Sequence, residues 1–160
     1  MCDKNTIPRS IQKYTGIFAI SVDGVIEWDL YEKGGINTDR LIDFLEKNIT
    51  SKLRNKLIIL DNASSHRNER IKALVNKHNN ILYAVPYQHF TNSIKNYFSM
   101  MKSRLQKLEG LKYENLKENI QNVLNDIPKE KYENIFKGAY ERPEKYVAKN
   151  KTRKIKKNYK

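Results

Sequence analysis

The chain has 160 residues, 39% of them hydrophobic and 31% charged, which suits a single domain and makes one compact core the default. Its 31 Lys and Arg against 18 Asp and Glu leave a formal charge of +13, so a polyanion, first of all nucleic acid, is the expected partner. A lone cysteine, Cys2, excludes a disulfide framework and a thiolate zinc site, and no apolar run has the length of a membrane span or the place of a signal peptide, so a soluble protein of a reducing, intracellular compartment without a membrane partner is expected.

A polar segment, 1–13, opens the chain. Tyr14 to Val22 reads as a strand, rich in aromatic and β-branched residues, and ends at the turn pair Asp23-Gly24. Val25 to Tyr31 resumes the pattern, which predicts a β-hairpin closed by Gly34-Gly35. Asn37 or Thr38 then caps a helix whose Leu41, Phe44, Leu45 and Ile49 share one face and should lie against the hairpin. Leu57 to Leu60 is a continuous apolar run, the mark of a strand covered on both faces. A second helix from near Asn68 turns Ile71, Leu74 and Val75 inward, and Ile81 to Val85 forms another buried strand stopped by Pro86.

From Asn92 a long helix carries Ile94, Tyr97, Phe98, Met101, Leu105 and Leu108 on one stripe and stops near Gly110. Further helical segments, with Leu116, Ile120, Val123 and Leu124, then Tyr132, Ile135 and Phe136, are placed to pack over it. This predicts an α/β domain over 14–110, a helical extension over 111–143 and a basic tail over 144–160. The tail, with seven basic residues and no acid between Lys149 and Lys160, cannot bury a core and is expected to be disordered.

Two stretches carry chemistry. In Leu57 to His66, LIILDNASSH, Asp61 stands at the carboxyl end of a strand, where open α/β sheets bind ligands. Its carboxylate is either a hard-oxygen ligand for Mg²⁺ or Mn²⁺ or a structural group that caps the loop and the next helix. His66 is open to three roles: acid or base, metal ligand, or loop-fixing hydrogen-bond donor. In Val85 to Leu108, VPYQHFTNSIKNYFSMMKSRLQKL, a strand ends, a loop turns, and a helix begins at Asn92. Tyr97, Phe98, Met100 and Met101 could stack on bases, but their spacing suits a core. Lys95, Lys102, Arg104 and Lys107 either meet phosphates or form a solvated helix face. For Lys149, Lys151, Arg153, Lys154, Lys156 and Lys157 of the tail, phosphate contact through counterion release competes with nuclear import and with mere solubilisation.

Together the two stretches resemble the second and third signatures of the mariner-type DDE transposases. In that family a strand ends in Asp-Asn-Ala with a His following, and a Pro-Tyr loop leads into Asn-Pro-Ile-Glu on a helix with a downstream Lys. The matching positions here are Asp61-Asn62-Ala63 with His66, Pro86-Tyr87, Asn92-Ser93-Ile94-Lys95, and Lys102. The resemblance covers roughly Tyr14 to Lys107 and implies an RNase H-like mixed sheet, with DNA as partner.

It also implies that three carboxylates would gather two Mg²⁺ or Mn²⁺ ions for in-line phosphoryl displacement. Asp61 matches the second carboxylate. Lys95 stands where the family has its third, a Glu, and a cation there repels a metal. The first carboxylate would lie on a central strand preceding this chain's start. The expectation is therefore a degenerate DDE domain that lacks its first strand, binds no metal tightly and does not cut DNA alone. The alternatives are a non-catalytic DNA-binding relic acting as repressor or partner of an intact transposase, and a chain completed by a separately encoded amino-terminal segment.

Overall fold

A computed structural model describes residues 14–84, 92–108 and 113–141 of the chain. Strands β1 (Thr15–Ser21) and β2 (Gly24–Tyr31) form the expected antiparallel hairpin. Its turn falls on Val22-Asp23, one residue earlier than the Asp-Gly pair suggested. Gly24 instead opens β2 at φ +140°, a conformation that L side chains rarely adopt. Ser21 Oγ donates to the Gly24 carbonyl and accepts from Asp23 N, which pins the turn in that register. A bulge follows: Ala19 pairs with Glu27 while Ile20 pairs with Val25, so Ile26 has no opposite residue and sits exposed.

Helix α1 (Thr38–Leu45) begins at Asn37, whose Oδ1 accepts from Arg40 N at 2.9 Å, and continues into a π turn over Glu46–Thr50. Arg40 ties the helix start to the hairpin: its Nη1 donates to the carbonyls of Lys33 and Gly35, and its guanidinium lies 4.4 Å from the centre of the Tyr31 ring. Strands β3 (Leu57–Leu60) and β4 (Asn80–Tyr83) pair in parallel, and α2 (Glu69–Asn76), capped by Asn68, connects them. Among the described residues no backbone pairing joins β1–β2 to β3–β4, and the two remain separate two-stranded sheets.

Among the described residues two cores replace the single one expected. The first packs Ile17, Leu41, Phe44, Leu45, Ile49, Ile71 and Val75 with Ile58, Leu60 and Ile81, so α1 and α2 cover one side of both sheets. The second gathers Leu30, Tyr97, Met101, Leu105, Ile120, Val123, Ile127 and Tyr132 against Phe18 and Trp28. It is built by α3 (Ser93–Leu105), α4 (Tyr113–Asp126) and α5 (Lys129–Tyr140) on the other face of the hairpin. Alternation along β1 sends Ile17 to one core and Phe18 to the other.

This division corrects the expectation that β3 is covered on both faces and that β4 is buried. Ile58, Leu60 and Ile81 reach the first core, but Leu57 is 57% exposed and Leu82 49%, because α3, α4 and α5 pack on the hairpin and not over the second sheet. Leu108, expected on the α3 stripe, lies beyond the end of the helix and is exposed. Val85, Pro86, Tyr87, Gly110, segment 1–13 and the basic tail lie outside the described residues. No described helix is long and apolar enough to cross a membrane.

Candidate functional site

Asp61 follows directly on β3, and the chain then turns through Ser64–His66, a single turn of 3₁₀ helix. The tight turn brings the imidazole back onto the carboxylate: His66 Nδ1 lies 2.5 Å from Asp61 Oδ1. The same oxygen accepts from Ala63 N at 3.2 Å. Two groups distant in sequence hold the turn, since Tyr83 Oη donates to the His66 carbonyl at 3.0 Å and Thr38 Oγ1 donates to the Ser65 carbonyl at 3.1 Å. Neither stands out in the sequence. Their role arises because β4 ends beside β3 and α1 begins beside the loop.

The electrostatics follow from these contacts. The hydrogen bond from His66 holds the Asp61 carboxyl below its ordinary range, against the opposing effect of partial burial, with the Ala63 N–H and the Lys95 ammonium adding to the shift. Reciprocally, the Asp61 carboxylate raises the His66 pKa above 6.5. The pair is therefore an ion pair at mildly acidic pH, above 3.8 and below 6.5. Asn62 follows it, partly buried.

Lys95 stands in the first turn of α3, where its N–H donates to the Asn92 carbonyl at 3.0 Å. Although 34 positions separate it from Asp61 in the sequence, its charge acts on that carboxylate. Asn92 and Ser93 are both buried at the helix start, and Ser93 Oγ and Tyr140 Oη are 3.2 Å apart. Along α3, Lys95 and Lys102 are seven residues apart and so share a face to within roughly 20°. Arg104 falls on the opposite side, where its charge acts on the Tyr132 phenol, and Lys107 lies past the helix end. The four basic residues of this stretch thus do not form one surface. Tyr97, Phe98, Met100 and Met101 take the core reading: Tyr97 and Met101 are buried, with Phe98 and Met100 packed against the same cluster.

A two-ion centre requires several converging carboxylates. Among the described residues no group of three or more His, Cys, Asp and Glu side chains is placed to hold a metal ion. One oxygen of Asp61 is engaged by His66, and the nearby charge contributed by α3 is positive. These residues do not fit a pair of divalent ions. What the arrangement does provide is a carboxylate locked in a loop, beside a helix that presents cations.

Residues 7–118, well over half of the chain, match the family model of the DDE superfamily endonuclease. The crystal structure of the Mos1 mariner paired end complex with Mn is similar over 81% of this chain, with a TM-score of 0.67 and 18% identity. The match spans 41% of that chain. No curated protein matches the sequence. The similarity supports the RNase H-like fold expected from the sequence.

Proposed function

Because the chain belongs to the DDE superfamily endonuclease family, we propose that it is a member that holds DNA without cutting it, with Asp61 serving an ion-paired loop in place of a metal centre. The observation that carries this reading is the 2.5 Å contact between His66 and Asp61 together with the positive charge of Lys95 acting on the same carboxylate. An in-line displacement on phosphate needs a group to activate the attacking oxygen and another to stabilise the leaving one. A single engaged carboxylate supplies neither.

The +13 charge and the Lys95–Lys102 face of α3 supply attraction for phosphates instead. The matched Mos1 structure is a paired end complex with Mn. For this chain we carry over contact with DNA and not the use of the ion. Binding without cleavage suits a repressor or a partner of an intact transposase. The basic residues Lys149, Lys151, Arg153, Lys154, Lys156 and Lys157 would add phosphate contacts without reading sequence.

The test is incubation of supercoiled plasmid with the purified chain and Mn²⁺, beside Asp61→Ala, with a salt titration of DNA binding. The expected result is no nicking and binding that weakens as salt rises. Nicking that disappears in Asp61→Ala would overturn the proposal.

A further inference from the structure

The amino ends of β3 and β4 lie at the opposite end of their sheet from Asp61, about 13 Å away for four residues at the rise of a strand. There the turn before β3 and the turn between α2 and β4 line a shallow, open concavity of about 500 Å³. Its rim is Arg54, Asn55, Asn76, Lys77, His78 and Asn80, and among the described residues its lining contains no carboxylate.

Several hydrogen bonds hold this frame in place. Asn79, which also lines the concavity, is buried and clamps the first turn, its Oδ1 accepting from Lys56 N at 3.0 Å and its Nδ2 donating to the Leu53 carbonyl at 3.1 Å. Asn55, in the left-handed region at φ 56°, donates its N–H to the His78 carbonyl at 2.8 Å, and Asn80 N donates to Lys56 O at 2.8 Å. Arg54 Nη1 is held on the carbonyls of Thr50 and Leu53. The ion pairs found among the described residues involve neither Arg54, Lys56 nor Lys77.

We propose that this concavity binds the phosphodiester backbone of DNA, as a contact surface separate from the Asp61 end of the sheet. The held guanidinium of Arg54 and the exposed ammonium of Lys77, interleaved with side-chain amides, are the donor types that phosphate oxygens accept from, and such contacts position a duplex without reading its bases. A space of this size admits a stretch of backbone rather than a lone phosphate. With no carboxylate among the described lining residues, a metal cation finds no anionic ligand in them. The proposal rests on the reading of the chain as a DNA-binding protein and assigns it a specific surface.

The test is fluorescence anisotropy with the full chain and a short labelled duplex across a salt series, comparing the parent with Arg54→Ala/Lys77→Ala. Loss of two phosphate contacts should lower the slope of log affinity on log salt by about 1.8 and weaken binding roughly tenfold or more. Lys131→Ala/Lys137→Ala, which removes the same charge from exposed positions on α5, should keep the parent slope. Arg54→Lys/Lys77→Arg should restore binding, and circular dichroism should show both alanine pairs folded. If the Arg54→Ala/Lys77→Ala variant keeps the parent slope while the parent binds, the proposed surface is wrong and DNA binding itself stands. If the parent does not bind the duplex, both readings fall. Inorganic phosphate that shifts the Asn55 and Asn76 side-chain amide resonances as tightly as the duplex does would make this a small-anion site and overturn the proposal.

Discussion

His66 Nδ1 and Asp61 Oδ1 are 2.5 Å apart across four intervening residues, so the carboxylate at the end of β3 is an anchor for the chain that follows it. Tyr83 and Thr38 hold the same loop from β4 and α1, which makes the pair part of a supported turn rather than a loose surface contact.

The pair gives stability a defined pH dependence. Asp61 is lowered from 3.8, so its contribution is present above that value and is lost as pH falls through the lower folded value. His66 is raised from 6.5, so its contribution is full below 6.5 and is lost as pH rises through the higher folded value. His66→Ala should therefore cost the most between these limits, about 1 kcal/mol given that Asp61 remains 38% exposed to solvent. Thermal melts at pH 5.5 and pH 9 would check this, with the gap between parent and variant expected to shrink at the higher pH; an equal gap would remove the ion pair from the account.

Lys95→Glu should turn the charge acting on Asp61 from positive to negative and raise its pKa. Titration with Mn²⁺, followed by paramagnetic broadening of resonances around Asp61, should show binding in the variant that exceeds the parent's. Equal, negligible broadening in both would mean that Lys95 does not stand in for a ligand.

Tyr97 is fully buried, and among the described residues its hydroxyl has no partner at ordinary hydrogen-bond geometry, the Tyr132 phenol being the polar group that acts on it. Burial pushes its phenol far above the ordinary tyrosine value, with Tyr132 acting in the same direction. Because the unfolded chain ionises near pH 10 while the folded one does not, stability falls as pH rises beyond that point. Tyr97→Phe should be neutral or stabilising by up to about 1 kcal/mol at pH 7 and should flatten the alkaline loss. Urea unfolding at pH 7 and pH 10.5 would test both; destabilisation of several kcal/mol at pH 7 would reveal a bond to the hydroxyl.

Leu57→Ser and Ile71→Ala should differ sharply although both remove an aliphatic side chain. Ile71 is completely buried between α2 and the first core, and its truncation should cost about 2–5 kcal/mol. Leu57 is mostly exposed, so its replacement should stay within about 0.5 kcal/mol. Chemical denaturation of the two variants reads this directly, and a large cost at Leu57 would show that its face of the sheet is covered.

What the sequence determines by itself here is local. Asn37 and Asn68 can be read as caps because the bond each makes spans only two or three residues, and the hairpin can be read from side-chain alternation around a short turn. Asp61 at a strand end is legible for the same reason, and so is the family signature around it. The tertiary structure alone decided which faces are covered. Leu57 and Leu82 look like interior residues until α3, α4 and α5 are seen to choose the hairpin. Packing likewise brought the Lys95 charge to Asp61, placed Arg104 on the far side of α3, and joined Arg54 to Lys77 around one concavity. Those relationships link positions more than twenty residues apart or depend on how helices dock, and neither periodicity nor spacing encodes the docking.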